Sequence, residues 1–381
     1  MEIPSAPVSA PPSRSRLAGK VREFTPNWFA VTMGTGIVFL VLNALPFEFA
    51  GRQSAVITLW CIDIILYAVF AAMFIARWLC YPDTVVPMLR HPQQSMFLGA
   101  LPMGLVPIIN GIVIIAGERF GAQAYALAHA LWWFDAGLAV VIAVGVPYLA
   151  FTAQDHAPER LSAVLLLPIV GPEVAASSAA TLAPHLDAQA AQLVIGTGYV
   201  LWAISVPLAF SLLTIVFFRL LIHKQPAREL AASCWLPLGP IGTGALGLLA
   251  LGQVAPQAFY GTALAGTAVF AQYLGIIGAL VLWGAGSWWL TVAILLTVRY
   301  CREGLPFNLG WWGFTFPLGV YSLATFALSR TLSSDMLLST GVVLATLLGV
   351  VWLVVLWRTA TGAARGELFF APCLNPPGKK R

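Results

Sequence analysis

Ten long apolar segments constrain the fold of this chain more than any other feature of its sequence. They cover residues 28–47, 54–79, 95–117, 124–152, 161–183, 190–222, 235–252, 264–298, 307–328 and 335–357. Only 9% of the 381 residues are charged, too few to cover a soluble domain, in which about 25% are charged. Apolar segments of this length cross a bilayer as helices, because lipid offers no water to an open backbone. The sequence therefore predicts an all-α integral membrane protein with ten transmembrane helices.

The basic residues indicate how these helices are oriented. Of the 20 Lys and Arg residues, 17 lie before the first segment or at and beyond the C-terminal ends of the even-numbered segments. The other three, Arg52, Arg119 and Arg330, lie at the opposite ends. Since Lys and Arg are enriched in cytoplasmic loops, both termini are predicted to be cytoplasmic, in a multi-pass protein of the plasma (inner) membrane. The net charge of +5 follows from this topology and gives no indication of nucleic-acid binding.

Composition also divides the chain into three parts. Residues 1–27 are rich in Pro, Ser and Arg and lack an apolar core, so a disordered cytoplasmic tail is expected there. Residues 28–357 form the ten-helix transmembrane domain, and residues 358–381 form a cytoplasmic C-terminal tail. The five cysteines are scattered without a CxxC pair, and no His stands near them at ligand spacing. Neither a metal nor another cofactor is expected.

A repeat of about 70–80 residues underlies the ten segments. The third, fifth, seventh and ninth segments carry LPMGLVP, LPIVGP, LPLGPIG and FPLGVYS, and the first carries MGTG. The even-numbered segments instead carry a tryptophan at a recurring place: Trp60, Trp132, Trp202, Trp283 and Trp352. The repeating unit is therefore a helical hairpin that is used five times.

The proline and glycine motifs predict a pore. Proline removes a backbone donor and displaces a carbonyl, which lipid tolerates only where protein or a water-filled cavity covers it. In a quasi-fivefold arrangement of five helical hairpins, the odd-numbered helices would surround a central pore and the even-numbered helices would lie outside them. The alternative is that the proline and glycine motifs are only kinks that help the helices to pack. The predicted helix breaks are Gly34, Gly36, Pro102, Gly104, Pro168, Gly171, Pro172, Pro237, Gly239, Pro240, Pro317 and Gly319.

Charge inside the segments is scarce, which favours an anion path over a cation path lined by acid rings. Glu173 is the candidate proton-linked group, whereas Asp63 and Asp135 are expected to be structural and His129 to be a packing residue. Candidate anion contacts are the hydroxyls and amides Thr32, Thr35, Asn110, Ser177, Ser178, Thr243 and Thr315. Phe316, beside Pro317, is predicted to project into the pore and close it; the alternative is a packing residue.

Three stretches carry a resemblance to a known family: FTPNWFAVTMGTGIVFLVLNALPF, WLPLGPIGTGALG and FNLGWWGFTFPLGVYSLATFAL. They resemble the tellurite-resistance/dicarboxylate transporter family, which also contains the slow anion channels. The resemblance implies a homotrimer with one pore per subunit, and Phe316 as its gate. MGTGIV and GWWGFTFPLGV resemble the sulfite efflux branch, which implies export of sulfite or hydrogen sulfite. A C4-dicarboxylate such as malate, and general conduction of nitrate or chloride, are the alternatives.

Two other classes of function are less compatible with the sequence. An enzyme needs a nucleophile–base pair or a metal cluster, and neither pattern is present. A sensor would be expected to carry a soluble domain, for which the short tails leave no room.

Overall fold

Thirteen α-helices account for most of residues 16–374, the part of the chain that the computed structural model describes. They are α1 (Arg16–Arg22), α2 (Phe29–Ala44), α3 (Arg52–Cys80), α4 (Val85–Arg90), α5 (Ala100–Gly111), α6 (Gly117–Phe120), α7 (Ala122–Thr152), α8 (Leu167–Leu182), α9 (Ala188–His223), α10 (Leu238–Ala258), α11 (Ala265–Glu303), α12 (Thr315–Leu332) and α13 (Asp335–Arg365). The all-α fold class predicted from the sequence is confirmed. A π-helical turn, Ile112–Ala116, joins α5 to α6.

The five helices that correspond to the odd-numbered segments begin in the same way, with a 3₁₀ segment that leads into the α-helix. The segments are Pro26–Trp28 before α2, Ser95–Gly99 before α5, Ala163–Leu166 before α8, Arg228–Trp235 before α10 and Leu309–Phe314 before α12. The remaining 3₁₀ segments are Pro82–Thr84, Pro158–Arg160, Ala183–His185 and Pro372–Leu374. The five odd-numbered segments of the sequence thus share one local structure.

The proline motifs mark this change of helix type. Pro102, Pro168, Pro240 and Pro317 each fall within the first three residues of an α-helix, and Pro237 directly precedes α10. A backbone N–H has no partner in the first turn, so proline is tolerated there without loss of a hydrogen bond. At these positions the prediction of a break in mid-helix is therefore wrong, because each motif starts an α-helix.

The glycine positions were predicted to interrupt helices, yet α2 runs without a break through Gly34 and Gly36. A Cβ at Gly36 would lie 2.4 Å from the Pro107 side chain on α5, and one at Gly319 would lie 2.4 Å from Ile37 on α2. Real Cβ atoms do not approach this closely, so these glycines allow neighbouring helices to touch. Their role is close packing rather than interruption.

Ten long helices form five sequential hairpins in two concentric rings. The inner helices α2, α5, α8, α10 and α12 each contact the next, and α12 contacts α2, which closes the ring. Each outer helix contacts its own hairpin partner and the next inner helix, as α3 does with α2 and α5. The outer helices therefore lie in the grooves between adjacent inner helices.

Burial follows this arrangement. In the apolar 18-residue stretch of each span that contains α2, α5, α8 or α10, 72–89% of the residues are buried, against 17–33% in the corresponding stretches of the outer helices. In α12, 14 of 18 residues are buried. Exposed faces rich in Ile, Leu, Val and Phe on the outer helices are suited to lipid contact.

The repeated tryptophans join each outer helix to the next hairpin. Their indole N–H groups donate to α5, α8, α10, α12 and α2 in turn: Trp60 to Ile108 O, Trp132 to Ala175 O, Trp202 to Gly244 O, Trp283 to Thr325 Oγ1 and Trp352 to Thr35 Oγ1, at 2.9–3.3 Å. The last of these bonds returns to the first hairpin. The five bonds form a closed set around the bundle, which gives the tryptophan repeat a structural role.

Nine helical spans within residues 16–374 are long and apolar enough to cross a membrane. The tenth helix of the two rings, α12, is 18 residues long and falls outside this set. It occupies the place of the ninth predicted segment and carries several hydroxyl groups and Arg330.

The predicted tails differ partly from the structure. Arg16–Arg22 form α1, so the end of the expected N-terminal tail is helical, and α13 extends to Arg365. Residues 1–15 of the predicted N-terminal tail and residues 375–381 of the predicted C-terminal tail lie outside the described residues.

Candidate functional site

The N-terminal ends of all five inner helices meet at one cavity of about 440 Å³, hereafter the vestibule. Each of the five 3₁₀ segments, or the residue next to it, supplies part of the wall: Asn27, Gln94, Val164, Ser233 and Gly310. Helix N-termini present unpaired N–H groups and the positive end of the helix dipole. Five of them around one cavity create an environment that favours an anion.

A second cavity lies directly beyond the vestibule, and the two share Met33, Leu167 and Leu236. Its volume is only about 10 Å³, which leaves no more than the space of a single water molecule. Its wall, hereafter the girdle, comes from all five inner helices: Met33, Met103, Leu166, Leu167, Val170, Leu236, Gly239, Pro240, Phe316 and Pro317. The bundle axis is therefore closed by apolar side chains at this level.

Phe316 is one member of the girdle and is 3% exposed. It lies where the inner helices converge, and Met33, Met103 and Leu236 close the same space. Gly239 faces this space, because a Cβ there would meet only Pro317 Cγ, at 4.0 Å.

The hydroxyl and amide candidates lie elsewhere, and none of them lines the vestibule or the girdle. Four of the hydroxyls donate to a carbonyl three or four residues earlier: Thr32 to Phe29 O, Ser177 to Val174 O, Thr243 to Gly239 O and Thr315 to Trp312 O. The others form hydrogen bonds between helices: Ser178 donates to Asn110 Oδ1, and Thr35 accepts from Trp352. The structure therefore does not bring these side chains together with Phe316.

The three intramembrane acids are fully buried, and within residues 16–374 their carboxyl oxygens have no hydrogen-bond partner. Glu173 lies beside the hydroxyls of Ser205 on α9 and Thr243 on α10, both of which donate to main-chain carbonyls. Asp63 lies next to Gly36. All three carboxyls are thus located between helices rather than in the vestibule or girdle.

Two arginines are buried near the N-terminal ends of the inner helices. Arg77 donates to Phe24 O and to Thr84, and Arg219 donates to Glu159 O and Lys224 O. Neither forms an ion pair within residues 16–374. Their charges are therefore not cancelled by a carboxylate, which adds to the positive potential at this end of the bundle.

The segment that follows α13 forms one side of the vestibule. Leu368, Phe370 and Pro372 contribute to its wall. Phe369 stacks on Trp28 with a centroid separation of 4.9 Å, and this contact holds the segment against the start of α2. The vestibule wall thus includes residues from both ends of the described chain.

Sequence reasoning missed the polar residues of the vestibule. Asn27, Gln94 and Asn308 stand at the start of the first, third and ninth segments, so the repeat itself carried the signal. Within residues 16–374, no group of three His, Cys, Asp or Glu residues is placed to hold a metal ion.

The rings, the vestibule and the girdle define a helical membrane protein of the channel or transporter class, with an axial constriction and an anion-favouring entrance. The chain belongs to the SLAC1 family, the voltage-dependent anion channels, whose family model matches residues 23–360. The family resemblance seen in the sequence is thereby confirmed. The chain is accordingly a multi-pass membrane protein of a family of anion channels and transporters.

Curated relatives cover nearly the whole chain. The sulfite efflux pump SSU1 of Arthroderma benhamiae is 37% identical over 354 residues, which cover 92% of this chain and 93% of that protein. An uncharacterized transporter of Methanocaldococcus jannaschii is 26% identical, with 92% and 97% covered. The malic acid transport protein of Schizosaccharomyces pombe is 23% identical, with 90% and 78% covered.

Proposed function

We propose that the protein exports sulfite or hydrogen sulfite along the bundle axis, from the vestibule past Phe316. Supporting observations are the relatives named sulfite efflux pumps at 36–37% identity and the five helix N-termini around the vestibule. The main support for a path along the bundle axis is the girdle, to which all five inner helices contribute. The activity needs no covalent step, so the protein is a transporter rather than an enzyme.

The proposal includes the orientation and assembly of the protein. The excess of Lys and Arg at the vestibule end supports an orientation with the vestibule and both termini in the cytoplasm, in a protein of the plasma (inner) membrane. Residues 28–357 are the transport domain, and the flanking segments are cytoplasmic. By its family resemblance, the protein forms a homotrimer with one path per subunit.

Phe316 acts as the gate in this proposal. A cavity of about 10 Å³ with an apolar wall admits neither an anion nor its hydration shell, so the described conformation is closed. Movement of the aromatic ring away from the axis would open a path at the level of Gly239. The helix-initiating prolines and the close-packed glycines hold the surrounding helices in place.

Malate is the second candidate, supported by the malic acid transport protein among the relatives and by a vestibule large enough for a C4-dicarboxylate. Purified protein in liposomes would distinguish the anions, with flux measured for sulfite in competition with malate, nitrate and chloride. We expect sulfite to be preferred. A malate flux equal to or greater than the sulfite flux would indicate a dicarboxylate transporter instead. Equal fluxes of all four anions would indicate a general anion channel.

A further inference from the structure

Gln94 has a buried side-chain amide that lacks a hydrogen-bond partner in the described part of the chain. It is 5% exposed and lines the vestibule, and its Oε1 atom has no hydrogen-bond partner within residues 16–374. Oε1 is enclosed by protein, whereas the amide nitrogen is not among the enclosed unpaired atoms, so the N–H₂ group is the end of the amide that is open to the vestibule. A polar side chain in a cavity wall that the protein leaves without a partner often has a ligand as its partner.

Asn27 repeats this feature on the adjacent inner helix. Its Oδ1 atom is buried and has no hydrogen-bond partner in the described part of the chain, and the residue also lines the vestibule. The 3₁₀ segments Pro26–Trp28 and Ser95–Gly99 are in contact, so both amides belong to neighbouring parts of the wall. Together they offer up to four N–H donors to one ligand, which suits an oxyanion with several acceptor oxygens.

The turn that carries Gln94 is fixed before any ligand arrives. The Nδ1 atom of His91 accepts hydrogen bonds from the backbone N–H groups of Gln93 and Gln94, both at 3.2 Å. The Gln154 amide donates to Ser95 Oγ, at 2.9 Å, and to Leu89 O. A donor held in position in this way loses little conformational entropy on binding.

The charges of the vestibule wall restrict the charge of its ligand. Glu229 and Glu367 line the vestibule, and among residues 16–374 no Lys or Arg contributes to its wall. The attraction therefore comes from amides and from helix N-termini, each equivalent to roughly half an elementary charge. Such a site holds a single negative charge, whereas a second charge on the ligand would meet the two carboxylates without a basic partner.

We propose that the Asn27 and Gln94 amides, with their N–H₂ groups turned into the vestibule, bind a small monovalent oxyanion before it reaches Phe316. This inference rests on the proposed function and specifies its substrate: hydrogen sulfite is the transported species, rather than the sulfite dianion. Recognition by uncharged donors also permits release, because no buried cation holds the anion in place.

Flux of hydrogen sulfite into liposomes that contain the purified full chain tests the assignment. Gln94→Leu removes the donors at nearly constant volume and should raise the half-saturating concentration at least about tenfold, the effect of losing a hydrogen bond to a charged ligand. Asn27→Ala should do the same and provides an independent measurement if Gln94→Leu does not fold. Gln253→Leu is the matched control, since Gln253 is exposed and bonds to Thr331 outside the vestibule.

The outcomes separate this inference from the proposal on which it rests. If the wild-type protein transports sulfite and both vestibule variants keep its half-saturating concentration, the amide site is refuted and the sulfite function stands. If the wild-type protein transports none of the four anions tested, the proposed function itself fails. Sulfate, a dianion at neutral pH, should compete poorly with hydrogen sulfite; competition as strong as that of hydrogen sulfite itself would refute selection for a single charge.

Discussion

The closed set of tryptophan hydrogen bonds predicts a specific loss of stability when one of them is removed. Trp132 is fully buried, and its indole N–H donates to Ala175 O, at 2.9 Å. Trp132→Phe removes this bond, worth about 0.6–1.7 kcal/mol between membrane helices. The smaller ring leaves a void of roughly 40 Å³, which costs about 1 kcal/mol at about 24 cal/mol per Å³. We therefore expect a total loss of about 1.6–2.7 kcal/mol in the free energy of unfolding.

The adjacent residue supplies the control for this experiment. Trp133 is 41% exposed on the outer side of α7, and its indole donates to His129 on the same helix. Trp133→Phe should therefore lower the free energy of unfolding by less than about 0.5 kcal/mol, as for a surface substitution. Denaturant titration in mixed micelles measures both variants. Equal losses for Trp132→Phe and Trp133→Phe would refute a structural role for the tryptophan repeat.

Three further predictions concern the path and its surroundings. Gly239→Ala places a methyl group in the girdle without a steric clash, so sulfite flux should fall severalfold while thermal stability is kept; unchanged flux would remove Gly239 from the path. Burial lowers the pKa of His91, so the folded state resists its protonation, and stability should fall as the pH drops below about 6.5. His91→Asn should lessen that fall, measured as melting temperature between pH 7.5 and 5; an equal fall would contradict it. Glu173→Gln should leave the pH profile of sulfite flux unchanged, because this carboxyl lies outside the vestibule and girdle; loss of pH dependence would establish the proton-linked role that the sequence suggested.

The two-ring architecture could be predicted from the sequence because its signals repeat. Single proline motifs and single tryptophans are common in membrane helices, but their strict alternation between odd and even segments assigned the inner and outer helices correctly. The local effect of the motifs was less predictable. A proline such as Pro317 starts a helix or breaks one, depending on where the preceding 3₁₀ segment ends, and that point is set by contacts with other hairpins.

The candidate site was predictable only in part. Phe316 could be placed by its proline motif, and it lies in the girdle. The hydroxyl candidates failed because an inner helix is buried on every side, so its apolar pattern does not show which side faces the axis. Serine and threonine in such helices bond to a carbonyl three or four residues earlier, as Thr315 does with Trp312, and are then unavailable to a ligand. Gln94 depends on a turn held by His91, which the sequence does not reveal.

Anion flux through Phe316→Ala in liposomes tests the axial path most directly. Phe326 on the same helix is equally buried but packs against Gly341 of α13, so Phe326→Ala controls for the loss of a buried aromatic ring. If the girdle closes the path, Phe316→Ala should raise sulfite flux at least about tenfold over the wild-type protein, whereas Phe326→Ala should not raise it. Flux through Phe316→Ala no greater than that through the wild-type protein would contradict an axial path closed at the girdle.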